Sequence, residues 1–256
     1  MAIKTIEGIA ISIIFAFLWI PVGQIPFLIE HWMKLGTFVL PMLFFIAITF
    51  QEPGNEEWFR APKLLGLFLF GAYLIHQFEE HWIDVFGNEY AFQGSINSLV
   101  QRVLSSSPDK NGPLTAEAIF VINTSLVWLV AAIAIWQAPQ RVFPTLALAS
   151  IVIINAFVHI AGGVLTLSYN PGLLTSIIVF VPLATLTYLR IPARQAALLL
   201  SIVWAVLAHI IMAVGMMAST WWGLISPRIY YAILITWSVL PFAVSVVAPR
   251  KFLYEE

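Results

Sequence analysis

The sequence contains no cysteine, which removes disulfides, thiolate metal ligands and cysteine nucleophiles together. Charge is scarce as well. Asp, Glu, Lys and Arg make up 10% of the 256 residues, where a soluble domain carries roughly 25%. So few charges cannot cover a water-facing surface, and lipid is the expected solvent. The net charge is −1, so there is no basic field to attract a nucleic-acid partner. The first apolar stretch lacks a small-residue cleavage site and is expected to be a membrane helix, not a removable leader. What fills the sequence instead is apolar: 61% of the residues are hydrophobic and the mean hydropathy is +0.92.

Apolar runs alternate with short polar or Pro/Gly segments. They predict an all-α, polytopic membrane bundle of about eight helices, seven being possible, in a single integral membrane domain. The expected spans are 6–28, 35–50, 64–83, 118–136, 142–163, 172–190, 196–219 and 229–247, each near the ~20 residues a bilayer needs. The second is short and is expected to be only partly inserted or little tilted. Gln51 to Glu57 and Arg190 to Arg194 are polar turns. The connection from Asp84 to Glu117 is the one sizeable segment outside the membrane; its first half, Tyr90 to Leu104, reads as an amphipathic interfacial helix. No internal repeat is visible. With eight helices, Lys4, Arg60, Lys63, Arg141, Arg190, Arg194, Arg250 and Lys251 fall on one side, against Lys34, Arg102, Lys110 and Arg228 on the other. That bias places both termini in the cytoplasm.

Polar residues inside these spans are few, so each carries weight. The third span reads Tyr73-Leu74-Ile75-His76-Gln77-Phe78-Glu79-Glu80-His81. An acidic side chain at mid-membrane costs about 2.5–3.5 kcal/mol, and two in a row call for an offsetting cation or proton. Glu79 and Glu80 stand three and four residues after His76, so both carboxylates lie on the histidine's side of the helix. Imidazole with carboxylate is a common donor set for zinc and for non-haem iron. The fifth span adds Asn155 and His159, again one helical turn apart, and the seventh adds His209. These three spans run in the same direction and carry their ionisable groups at similar depth, toward the outer half of the bilayer. Glu30 and His31 fall on the same side and are expected to line the mouth. Blander roles compete: a lone membrane histidine such as His209 can be an interhelical hydrogen bonder, and Asn155 can serve a similar contact. His81, Trp82 and Asp84 stand near the interface, where belt and snorkelling roles are ordinary.

His76-Gln77-Phe78-Glu79-Glu80 resembles the signature of the HXXEE-domain family of mostly bacterial multi-pass membrane proteins. The family's later Asn and His are matched by Asn155 and His159. The stretch from Ala161-Gly162-Gly163 to Tyr169-Asn170-Pro171-Gly172-Leu173-Leu174-Thr175 is similar too, so the resemblance spans about 64–190. It implies which residues matter but no reaction, since the family has no firmly assigned activity; His209 lies outside its motif. At the level of architecture alone, the arrangement is similar to seven-helix membrane hydrolases of the alkaline ceramidase and adiponectin-receptor type, which hold zinc with three histidines, although their motif spacing is not seen here.

The expected function is therefore a metal-dependent membrane hydrolase acting on a lipid or other apolar substrate. His76, His159 and His209 are the expected nitrogen ligands, zinc is favoured and iron is possible. Glu80 is the expected carboxylate ligand and Glu79 a second ligand or the general base for a water whose pKa the metal lowers toward ~7. Asn155 would orient a ligand or the substrate. A di-iron oxidase of hydrocarbon chains is a second expectation, weakened because di-iron bundles use four carboxylates and paired Glu-x-x-His motifs. A proton-coupled transporter is a third, weakened because no paired broken helices appear in two halves. A structural protein would tolerate loss of both glutamate charges.

Overall fold

The computed structural model describes residues 25–49, 61–103, 112–138 and 140–253. Among these the regular structure is helical: α1 (Pro26–Thr49), α2 (Pro62–His81), α3 (Ala91–Val103), α4 (Ala116–Gln137), α5 (Phe143–Thr166), α6 (Leu173–Arg190), α7 (Gln195–Trp221), α8 (Pro227–Val247) and the short α9 (Arg250–Leu253). Six of them, α1 and α4 to α8, are long and apolar enough to cross a membrane. The polar end of α2 keeps it out of that group, yet α2 sits at the centre of the bundle, with most of its side chains buried.

The expected first span lies mostly outside the described residues. The expected break between residues 28 and 35 is not there: α1 is continuous from Pro26 through Thr49. Glu30, His31 and Lys34 suggest a loop, but the turn that carries them is helical because its other faces find apolar and aromatic partners. Trp32 is 2% exposed, His31 meets the Phe27 ring edge-on at 4.8 Å, and the Lys34 ammonium lies 5.1 Å over Trp82. The remaining spans differ from expectation by a few residues, and the expected interfacial helix is α3.

Small residues bring α2 close to its neighbours. A side chain at Gly66 would meet Ile135 at 3.2 Å and one at Gly71 would meet Leu40 at 3.3 Å, the close backbone approach that membrane helices favour. Elsewhere polar atoms join helices pairwise. The Trp204 and Trp237 indoles each donate to the other's carbonyl, at 3.1 and 3.3 Å, tying α7 to α8. Ser150 on α5 bonds Tyr188 on α6 at 2.7 Å and Ser201 on α7 at 2.9 Å. Three of the described helices contain π turns: Thr124–Leu129 in α4 and Ser176–Phe180 in α6, beside the polar cluster, and Met217–Trp221 at the end of α7. Such wide turns mark functional positions often enough to direct attention there.

Candidate metal centre

The last turns of α2, the last third of α5, the first turn of α6 and the early part of α4 meet at one end of the bundle. There Glu80 is surrounded by imidazoles. Its Oε2 lies 3.3 Å from His76 Nε2 and 3.0 Å from His81 Nε2, and its Oε1 lies 3.3 Å from His159 Nε2. All four side chains are 5% exposed or less.

Hydrogen-bond polarity decides what those nitrogens present. The Thr175 hydroxyl donates to Glu79 Oε2 at 2.5 Å, so its lone pairs accept, and the His76 Nδ1 at 2.8 Å must carry the proton. Asn170 donates its amide to the His159 carbonyl at 3.0 Å. That fixes the amide with its oxygen toward His159 Nδ1, at 2.7 Å, so this nitrogen too is protonated. A neutral His76 and a neutral His159 then each turn a bare Nε2 lone pair toward the same carboxylate. His76 Nε2 is fully buried without a hydrogen-bond donor. Lone pairs facing lone pairs repel, and a buried carboxylate costs several kcal/mol unless compensated. A cation among them reverses the sign of every contact. The ligand atoms of His76, Glu80 and His159 all lie within 4.8 Å of one another, and both histidines have their far nitrogens anchored, as metal-ligating histidines do.

His81 is held by a longer chain. The Trp128 indole N–H donates to Gln77 Oε1 at 3.0 Å, Gln77 donates to Asn123 Oδ1 at 3.0 Å, and Asn123 Nδ2 reaches His81 Nε2 at 3.0 Å. An indole nitrogen only donates, so the direction propagates and His81 Nε2 accepts. Three imidazoles thus converge on Glu80, and none of them offers it a proton in its neutral form.

Glu79 faces elsewhere. Tyr169 OH donates to Oε1 at 2.9 Å and the Leu174 N–H at 3.1 Å; the Thr175 N–H and hydroxyl donate to Oε2 at 2.8 and 2.5 Å. Four donors fill the roughly four lone-pair positions of a carboxylate. Two of them are backbone N–H groups at the start of α6, where a helix favours negative charge. Burial pushes the Tyr169 phenol up, so it stays a donor. At the exit of α2, the Asn88 side chain, with the backbone N–H groups of Asn88 and Phe86, holds the Asp84 carboxyl below the usual carboxylate range.

The expected ligands therefore separate. His76, Glu80 and His159 come together. Glu79 is next to them but fully engaged by donors, which leaves it no free lone pair for a general base or a second ligand. His209 bonds the Ala205 carbonyl of its own helix at 2.8 Å and is not among the residues whose ligand atoms converge. Asn155 is half-buried, with its amide oxygen unpartnered, and bonds none of the cluster. His81, expected at a wet interface, is buried beneath Trp32 and Phe92, whose rings lie 5.4 and 5.1 Å from it. Glu30 lies on the wall of a cavity beside His81, whereas His31 does not. Sequence reasoning missed Asn123, and it named Asn170, Gly172 and Thr175 only within the family-like stretch, without a role for any of them. Gly172 has φ +93°, and any side chain on it would stand 2.7 Å from His76 Cε1 and 2.8 Å from His159 Cε1. The Asn-Pro-Gly run after α5 signals a turn, but not a turn wedged between two histidines.

Residues 67–187 match the family model described as a protein of unknown function with HXXEE motif. The chain carries an HXXEE domain. Each residue of the cluster just described, from His76 through Thr175, falls within the matched segment of that domain. No curated protein and no solved structure matches the chain.

Proposed function

We propose that the protein is a metal-dependent integral membrane enzyme, a hydrolase acting on a lipid or other apolar substrate. The observation that carries this reading is the convergence of the His76 and His159 Nε2 atoms, each 3.3 Å from the Glu80 carboxylate, with their Nδ1 atoms engaged by Thr175 and Asn170. Two imidazoles and one carboxylate is a donor set of catalytic zinc; iron is the alternative metal. When bound, the ion would acidify water and polarise a carbonyl.

The chain's own groups do the rest. His76 and His159 hold their rings fixed through Thr175 and Asn170. Glu80 would supply one oxygen to the ion, while the other stays 3.0 Å from His81 Nε2, whose lone pair is taken by Asn123. Glu79 braces the first turn of α6 and acts on the site through Thr175 and through the turn that carries Asn170. Because Glu79 is saturated, one carboxylate is left for metal, which weighs against a di-iron centre, since such bundles use four.

Metal analysis of the purified protein tests the reading. About one zinc per chain is expected, lost in His76→Ala and in Glu80→Ala. Two irons per chain would move the chemistry to oxidation. A wild type that is metal-free, and that moves protons or a solute in proteoliposomes, would replace the enzyme with a transporter.

A further inference from the structure

Beside the cluster, on the far side of His81, α1, α3 and the start of α4 enclose a cavity of about 160 Å³. Trp32, Met33, Phe92 and Ile119 form its apolar wall, and Glu30 and Tyr90, both exposed, stand at its mouth. Its inner wall includes the His81 ring, whose Nε2 is 3.0 Å from Glu80. Phe92 also reaches past His81 to within 6.2 Å of the His159 ring. The cavity and the cluster therefore share a wall one imidazole thick.

An apolar void of roughly 150 Å³ stays dry and takes a benzene-sized guest. In the present one the polar groups are few and partly engaged: Gln93 donates to the Leu114 carbonyl and His81 Nε2 is turned toward Asn123 and Glu80, while Glu30 and Tyr90 stand at the mouth. The helix that roofs it, α3, has no fully buried residue and lies outside the long spans, as an amphipathic helix at a membrane surface does. Pockets of this composition, apolar with a few convergent polar groups, are where substrates bind.

We infer that this cavity is the subsite for the apolar part of the substrate. It seats an alkyl or aryl group of about six carbons with the reactive bond directed past His81 toward Glu80. The inference rests on reading His76, Glu80 and His159 as the reaction centre, and it makes Ile119 and Met33 the residues that set chain length.

Two measurements separate the two ideas. Crystals under xenon pressure should show xenon in the cavity of the wild type and none in Ile119→Trp, while cobalt(II) stoichiometry is the same in both. A cavity that takes no xenon, or that is found filled by the chain's own first 24 residues, overturns the inference whatever the metal content. Xenon bound in a protein that binds no cobalt sinks the metal reading alone. The zinc-loaded protein is then assayed on p-nitrophenyl esters of graded acyl length. The preferred length should lie near about six carbons, shorten in Ile119→Trp and lengthen in Met33→Ala, with a several-fold change in kcat/KM at the extremes. A chain-length profile indifferent to both substitutions refutes the assignment.

Discussion

Gly172→Ala isolates the geometry on which the candidate centre depends. The new methyl would stand 2.7 Å from His76 Cε1 and 2.8 Å from His159 Cε1, where ordinary contact begins at 3.4 Å. Each ring must therefore retreat by 0.7 and 0.6 Å respectively (3.4 less 2.7, and 3.4 less 2.8). Metal–ligand distances tolerate about 0.2 Å, so the two imidazoles can no longer meet one ion together. The backbone at φ +93° adds strain of about 1–2 kcal/mol for a residue with a Cβ. Gly87→Ala separates the two effects: its φ is +82°, but nothing lies within 4 Å of the added methyl. Cobalt(II) titration followed by visible absorbance, with thermal unfolding alongside, reads both. Gly87→Ala should lose the backbone strain alone, and Gly172→Ala that strain plus the cost of its contacts with the two rings. Only Gly172→Ala should lose metal affinity, by at least about ten-fold, the scale seen when the groups that orient metal ligands are disturbed. Equal cobalt affinity in Gly172→Ala and wild type would show that His76 and His159 do not hold a common ion.

Thr175→Val should weaken metal binding by about 10–100-fold, because His76 Nδ1 loses its acceptor, and Thr175→Ser should restore it; equal affinities in the two variants would dissociate the hydroxyl from the site. His209→Ala should leave metal stoichiometry and affinity unchanged, because the ring bonds its own helix at Ala205; metal loss would bring His209 back as a ligand. Glu79→Gln should destabilise the fold by roughly 2–6 kcal/mol, since about two of its four donors would face an amide NH2 at about 1–3 kcal/mol each. Thermal unfolding checks it, and an unshifted transition would remove Glu79 as the brace of α6.

The bundle is legible in the sequence because lipid leaves the backbone one solution: apolar runs of span length must be helices. The error at α1 has a local cause. Glu30, His31 and Lys34 carry the composition of a loop, and only tertiary partners such as Trp82 keep that turn helical. His76, Glu80 and His159 are legible because charged and imidazole groups are rare in a membrane span, and rarity is visible in one dimension. The groups that orient them are not. Thr175 lies 96 residues from Glu79, and Asn123 lies 42 from His81. Threonine and asparagine are common enough in helices that composition marks neither, and Thr175 is singled out only as part of the family-like stretch. His209 shows the opposite failure: it is as rare in a span as the others, yet its ring bonds its own helix at Ala205 and does not join the converging group.

The adjacent glutamates of the motif are better understood as two jobs than as a doubled charge. Neighbouring helical positions point about 100° apart, so Glu79 and Glu80 cannot face the same partner. Both nevertheless flank His76, at three and four residues. Glu80 approaches its Nε2 directly at 3.3 Å, while Glu79 reaches its Nδ1 through the Thr175 hydroxyl, with steps of 2.5 and 2.8 Å. The second carboxylate thereby fixes the proton on the nitrogen facing away from the cluster and leaves the other bare for the first. It also holds Tyr169 and the first turn of α6, which flank Asn170, the residue that does the same for His159. Swapping the duties would fail on geometry: Glu79 has no free lone pair, and Glu80 has no backbone N–H to brace. On this reasoning the Glu80→Gln variant should lose metal and keep its fold, whereas Glu79→Gln should lose stability first and metal only as α6 loosens. A Glu80→Gln variant that unfolds while keeping its metal would reverse the two roles.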